Sequence, residues 1–400
     1  MARALEEGEH FSLGSIMEET TLSKDLILEI LSWLPVKSLL RFTSVSEWFQ
    51  RLISDPTFVK LHLQRASKHS NFLIILKRQD DRLVVSPCSM LCLLQSNHDH
   101  NFLRVPERFL ERYQGLSSCN GLVCVANNFS SGDVDSLKHI CSFTIWNPAT
   151  RTKFQVPRLT FRTIEVDDVS FGFAYDDRSD TYKVMTIISY LHPTCQVQSC
   201  NEVKIYTISS NDGWRTMEKF PANTSFVPDY GKYFNGNIIW LTTEESDQSQ
   251  YTFNDFVVVF FDLRTEIFNK VLLPQNLEGV DANINIPEIM VLDDFVSLVF
   301  KDFATNTFVV WQMKNFGNRD SWTLLVNIDV DVLQTEPVPF LKPLCIQDRF
   351  LVFYQLTIEN QMHVIWYDMR EGEVARRRIS TEVFSVWVED YIPSLQSLGA

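Results

Sequence analysis

Five aromatic residues, Trp146, Tyr206, Phe261, Trp311 and Tyr367, recur down the chain at intervals of 60, 55, 50 and 56 residues. They sit in similar phrases: Ile145-Trp-Asn-Pro-Ala-Thr150, Phe260-Phe-Asp-Leu-Arg-Thr265 and Trp366-Tyr-Asp-Met-Arg-Glu-Gly372, with looser copies at Ile205-Tyr-Thr207 and Val310-Trp-Gln312. Each reads as a strand ending in an aromatic, then a turn built on Asn or Asp, then another strand. A repeat of this length fits a four-stranded blade, and blades stacked around an axis make a propeller. From Asn71 onward about two dozen short β-branched and aromatic runs follow, without a long helical pattern. One further blade from roughly 70 to 127 brings the expected count to six. Only 13 glycines occur in 400 residues and none are adjacent, so glycine-paired repeats do not apply. A β-sandwich-like domain is the competing reading.

Upstream the periodicity changes. Leu26, Ile27, Ile30, Leu31 and Leu34 form one helical stripe, which Ser23 can cap and Pro35 stops. Val45, Trp48, Phe49, Leu52 and Ile53 form a second stripe, with Ser44 and Glu47 spaced as a capping box. Asp55-Pro56 then reads as N-cap and first residue of a short helix through Leu63. The fold class is therefore α+β multidomain. A disordered tail at 1–18 and a small all-α unit at 19–65 precede a large all-β, six-bladed propeller-like domain at 70–390. A helical unit of about 45 residues is near the lower size for an independent domain, so apolar surface is expected to remain for a partner.

The longest pure apolar run, Phe256 to Phe261, is six residues, far short of the roughly twenty a helical membrane span needs. With no basic-then-apolar start, the reading is a soluble, unsecreted chain of the cytoplasm and/or nucleus. The eight cysteines contain no C-x-x-C pair and read as reduced, mostly buried thiols. Residues 18–65 balance six acids with six bases, whereas 66–400 carry 29 bases against 41 acids. That acidity argues against nucleic acid and leaves room for a basic partner.

The run from Leu22 to Phe42, LSKDLILEILSWLPVKSLLRF, followed by Val45-Ser46 and Leu52-Ile-Ser-Asp-Pro-Thr-Phe58, resembles the F-box of plant F-box proteins. Members dock this unit on a Skp-type adaptor, which links them to a cullin scaffold and a ubiquitin-conjugating enzyme. The resemblance implies that Leu22, Leu26, Ile30, Leu34, Pro35, Leu39, Phe49 and Leu52 face that adaptor or shape the face. Three departures stand out: Ser23 replaces the family's Pro, Ser44 its small Cys, and Phe49 its Trp, with Trp48 one position earlier. One residue on a helix is about 100° of rotation, so Phe49 keeps an aromatic on the expected side and Trp48 does not. Adaptor affinity is expected to be lowered rather than abolished.

Ser118-Cys-Asn-Gly-Leu-Val123, Trp146-Asn-Pro-Ala-Thr-Arg151 and Phe171-Gly-Phe-Ala-Tyr-Asp176, then Asp180-Thr-Tyr-Lys-Val184, resemble the F-box-associated domain, which in that family binds the target protein. Gly121 and Gly172 read as turn or close-packing glycines and Trp146 as core. The implied role is the substrate-recognition subunit of a Skp–cullin–F-box ubiquitin ligase, non-catalytic and without cofactor or metal. A non-degradative adaptor-binding protein is the alternative. A propeller enzyme with a helical cap would need a polar cluster of perturbed ionisation in the central channel.

Catalytic markers are sparse. No G-x-G, G-x-x-x-x-G-K-[ST], G-x-S-x-G or H-E-x-x-H occurs. His98 with His100, and His192 with Cys195 and Cys200, are weak metal candidates that leave ligands unnamed. Exposed aromatics and the acidic stretches Glu165-Val-Asp-Asp168 and Glu244-Glu-Ser-Asp247 are the better candidates for target contact. Arg376-Arg-Arg378 reads as a strand end.

Overall fold

A computed structural model describes residues 23–66, 71–78, 83–89, 93, 103–104, 115–130, 138–162, 166–190, 200–208, 212–217, 220–221, 230–243, 252–277, 287–333 and 340–398. Leu22, the tail at 1–18, His98, His100, His192, Cys195, Glu165 and the stretch 244–247 lie outside the described residues.

Four helices come first: α1 (Lys24–Leu31), α2 (Val36–Phe42), α3 (Glu47–Ile53) and α4 (Pro56–Ala66). Ser23 caps α1 by accepting from the Leu26 N–H at 3.2 Å, and Asp55 caps α4 by accepting from Thr57 at 2.9 Å and Phe58 at 3.3 Å. The capping box expected at Ser44 is not formed. Ser44 and Val45 still donate to the Arg41 and Phe42 carbonyls of the preceding turn, so α3 starts later, on Ser46, whose hydroxyl accepts from Phe49 at 3.3 Å.

The strands form six antiparallel sheets around a common axis, so the propeller prevails over the sandwich. Blade one takes β1 (Asn71–Arg78), β2 (Leu83–Ser89) and β3 (Leu103–Arg104). Blade two takes β4 (Gly115–Cys119), β5 (Leu122–Ser130), β6 (Lys138–Trp146) and β7 (Lys153–Gln155), with β8 (Leu159–Arg162) added beside β6. Blade three is β9 (Val166–Asp176), β10 (Thr181–Tyr190), β11 (Cys200–Thr207) and β12 (Arg215–Thr216). Blade four is β13 (Lys232–Phe234), β14 (Asn237–Thr243), β15 (Phe256–Asp262) and β16 (Ile267–Leu272). Blade five is β17 (Glu288–Leu292), β18 (Phe295–Asp302), β19 (Thr307–Met313) and β20 (Trp322–Asp329). Blade six is β21 (Phe340–Gln347), β22 (Phe350–Leu356), β23 (Met362–Asp368) and β24 (Val374–Ser380). The last strand, β25 (Val383–Asp390), returns to pair with β1 and becomes the inner strand of blade one. The N-terminal blade expected at 70–127 is thereby corrected: β4 and β5 belong to blade two, and blade one borrows its innermost strand from the C-terminal end.

All five repeated aromatics fall in the third strand of their blade, namely β6, β11, β15, β19 and β23. The Asx residue at the end of three of these strands holds a five-residue turn. Asn147, Asp262 and Asp368 accept through Oδ1 from the N–H groups two and three residues on, at 2.8 to 3.3 Å. The fifth residue donates back to the first carbonyl at 2.8 Å with positive φ: Arg151, Glu266 and Gly372.

Each neighbouring pair of blades encloses one apolar cluster. This explains strands that are apolar on both faces. Phe256 and Val258 point into the core between blades four and five, and Val257, Val259 and Phe261 into that between blades three and four. Gly172 is a close-packing site, since a Cβ there would lie 2.5 Å from Ile238.

Beyond β25 the chain crosses the end of the ring that carries the first-to-second and third-to-fourth strand turns. Asn147, fully buried in its turn, donates through Nδ2 to the Ser394 and Gln396 carbonyls at 3.0 and 2.8 Å. Gly121 has φ +78°, and a Cβ there would sit 2.1 Å from the Ile392 carbonyl oxygen, so turn and tail both require glycine. Leu395 completes the helical core, and Lys60 reaches Asp180 at 2.8 Å. The helices therefore dock on this end of the propeller.

Candidate protein-docking face

The amphipathic pattern of α1 is split by packing. Leu31 faces inward, joining Val36, Leu39, Leu52, Ile53, Phe58 and the tail's Leu395, with Ile27, Leu28 and Leu34 partly covered. His62 is buried beside them with Nε2 2.9 Å from the Leu34 carbonyl, and burial holds its pKa below the ordinary histidine value.

Leu26 and Ile30 face outward instead, 44% and 49% exposed, with Trp33 at 54%. Their i, i+4, i+7 spacing puts all three on one side of α1 and its continuation. Trp33 is held there: its indole N–H donates to Glu29 at 3.2 Å, and the Arg65 guanidinium lies 4.8 Å from the ring centre. Arg65 closes the arrangement by pairing with Glu29 at 2.6 Å, which keeps the Glu29 carboxyl below its ordinary pKa. A second strip begins at the start of α3, where Val45 is 68% and Trp48 37% exposed. Trp48 stands edge-on to Phe49 with ring centres 4.9 Å apart, and Phe49 packs against Phe42 at 5.4 Å. Five large apolar side chains are thus left open on a unit of about 45 residues, more than ordinary scatter requires.

Residues 20–61 match the F-box domain, and residues 88–398 match the F-box-associated β-propeller domain. The chain belongs to the F-box-associated propeller family. Relatives include the Arabidopsis thaliana F-box protein CPR1, 25% identical over 94% of this chain and 88% of that one. The F-box/kelch-repeat protein At3g23880, also of Arabidopsis thaliana, is 27% identical over 85% and 88%. Among solved structures, the NanB sialidase of Streptococcus pneumoniae matches over 68% of this chain and 61% of that chain, at 8% identity and a TM-score of 0.40. An F-box joined to this propeller, with F-box proteins as relatives, supports a substrate-receptor role in a Skp–cullin–F-box ligase in general terms.

Within the F-box the expected partner-facing residues separate into three groups. Leu26, Ile30 and Pro35 are exposed, and Leu34 and Phe49 are half-buried. Leu39 and Leu52, at 0% and 8% exposure, are core residues of the helical unit. Trp33 and Val45 were not among those candidates, although Trp33 lies on the Leu26–Ile30 side by helical spacing alone.

The propeller's central channel opens as a cavity of about 200 Å³. Its lining includes Lys232, paired with Glu389 at 3.1 Å, and Asp390. Asp390 is solvent-exposed where it lines the channel, and crowding by the channel wall together with the neighbouring Glu389 raises its pKa above the ordinary carboxylate range, against the pull of Lys232. The hydroxyls nearby donate elsewhere: Ser117 to the Gly231 carbonyl at 3.3 Å and Ser118 to the Asp390 carbonyl. Burial raises the Cys119 thiol far above its ordinary pKa, which keeps it protonated. The five described cysteine side chains, Cys88, Cys119, Cys124, Cys141 and Cys345, are buried and unbridged. Among the described residues no group of three His, Cys, Asp or Glu side chains could hold a metal, and no helix is long and apolar enough to cross a membrane. Arg376 to Arg378 lie within β24 rather than at its end, where Arg376 approaches His363 at 3.3 Å and Arg377 donates to the Leu93 carbonyl at 3.2 Å.

Proposed function

We propose that this F-box protein is the substrate-recognition subunit of a Skp–cullin–F-box ubiquitin ligase in the cytoplasm and/or nucleus. A Skp-type adaptor covers Leu26, Ile30, Trp33, Val45 and Trp48, and the propeller holds a target protein. The cullin scaffold is reached only through the adaptor. The chain itself performs no bond chemistry; it raises the effective concentration of target lysines near a charged conjugating enzyme. The observation that carries this reading is the uncovered apolar ridge, with Leu26 and Ile30 about half exposed after the F-box has packed on its own propeller.

Covering what remains open of two such side chains contributes about 2 kcal/mol, or roughly 30-fold in affinity. Titrating a purified Skp-type adaptor into the full chain by calorimetry tests the reading. Leu26→Ala/Ile30→Ala weakens binding by about that factor without lowering the melting temperature. An adaptor that ignores the wild-type chain would refute it.

A further inference from the structure

The end of the propeller opposite the F-box carries the second-to-third strand turns and the blade-to-blade connections. On three consecutive blades there, large apolar side chains stand in solvent: Phe303 at 54%, Val332 at 42%, Ile358 at 62% and Phe384 at 62%. Hydrogen bonds fix their positions. The turn bearing Phe303 is tied to the segment bearing Val332 by the Val330 N–H to Asn306 carbonyl bond at 2.9 Å and by Asn306 Nδ2 to Asp331 at 3.1 Å. The turn bearing Ile358 is tied to the start of β25 by the Val383 N–H donating to the Asn360 carbonyl at 2.8 Å. Turn residues are ordinarily polar, so Phe303, Val332 and Ile358 in turns and connections, with Phe384 at the start of β25 beside them, need an explanation that Ile267, Leu272 and Leu324, scattered on outer strands, do not.

Among the described residues the fully exposed charge beside these apolar tips is acidic. Asp329, Asp331, Glu359 and Glu382 are exposed there. Among the described residues the cations beside these side chains are half-buried against rim groups: Arg78 lies 3.9 Å from Glu382, Lys301 sits 4.7 Å from the Phe303 ring centre, and Lys77 5.5 Å from that of Phe384. A phosphate backbone, an anionic lipid surface or a second acidic rim would be repelled, whereas Lys or Arg would be attracted.

We propose that this rim grips the target, and that the bound element is a polypeptide segment with apolar side chains flanked by Lys or Arg. The proposal deepens the receptor reading and rests on it. An eight-residue strand such as β1 spans roughly 25 Å, so a segment here and an adaptor on the F-box can bind together.

The test pans a phage-displayed library of random twelve-residue peptides on the full chain, and on a Phe303→Ser/Ile358→Ser/Phe384→Ser variant. Wild type is expected to enrich clones combining two or more large apolar residues with excess Lys or Arg. The fluorescein-labelled winners, read by anisotropy, lose at least tenfold in affinity on the variant and about threefold or more between 50 and 500 mM salt. All three substitutions are at exposed positions, and an unchanged melting temperature and adaptor affinity show that the variant is folded. No enrichment, acidic winners, equal binding by the variant, salt-independent binding, or self-association that the variant abolishes would each overturn the proposal. Loss of adaptor binding by the wild-type chain would instead remove the receptor reading and leave the rim result standing.

Discussion

Lys183 offers a sharp test of how the propeller is held together. It lies on β10 at 5% exposure, with Nζ 2.8 Å from Asp176, 3.1 Å from Glu266 and 3.4 Å from the Leu263 carbonyl. Blade three thereby grips the third-to-fourth strand turn of blade four. Burial works against the Asp176 carboxylate, yet Lys183, Ser179 at 2.6 Å and the Arg178 N–H at 3.0 Å together hold its pKa below the ordinary value. Lys183→Met keeps the apolar stem and deletes the charge. Breaking a buried pair on one side costs about 3–5 kcal/mol. Asp176 retains two donors and Glu266 retains Arg215 at 2.8 Å, so the lower end applies, about 3 kcal/mol. That corresponds to roughly 4 °C in melting temperature for a propeller of this size. Lys183→Met/Asp176→Asn removes the stranded charge and recovers more than half of the loss. The acid limb supplies the sign. A carboxylate with a depressed folded pKa stabilises above its unfolded pKa, near 4, and that stability drains as pH falls through the folded value; the single variant loses this dependence and shows a flatter acid limb. Calorimetry of the three proteins between pH 3 and 8 decides the matter. A single variant within 1 °C of wild type, or a double variant as unstable as the single, would refute the reasoning.

Three further outcomes follow from features already described. Burial of His62 depresses its pKa, so the stability it permits is complete above about pH 6.5 and falls as the unfolded histidine takes up protons below it; urea unfolding of the F-box helices followed by far-UV circular dichroism at pH 8 and 5.5 shows the loss, which His62→Gln reduces. Gly121→Ala places a Cβ against the Ile392 carbonyl in a left-handed turn and costs about 2–4 kcal/mol, with protease cleavage appearing within 391–398. Leu395→Ala destabilises by about 2–3 kcal/mol, and hydrogen exchange quickens in α1 to α4 before it does in β14 or β15.

What could be read in advance was whatever local chemistry dictates. An Asn or Asp that must accept from the next N–H groups leaves a mark in sequence, which is why Asn147, Asp262 and Asp368 reveal the ends of third strands. Ser23 and Asp55 were legible as caps for the same reason. Ser44 misled because hydrogen bonds from the turn after α2 still occupied that stretch, and pattern alone does not show where one helix releases the chain. The apolar stripe of α1 was visible, but its division into Leu31 inside and Leu26 and Ile30 outside depends on Leu395, far along the chain. The partnership of β25 with β1 is equally non-local, so blade one was misbounded. Phe303, Ile358 and Phe384 carry no sequence signature separating an exposed turn from a buried strand end.

Because β25 and Leu395 come last in the chain, synthesis leaves the two ends waiting for each other. The helices emerge from the ribosome roughly 330 residues before the leucine that completes their core, an interval of about 15–65 s at ordinary elongation rates. During that interval blade one lacks its inner strand and the helical core lacks Leu395. A chain that stops before Val383 has neither the strand that closes the ring nor the leucine that completes the helical core.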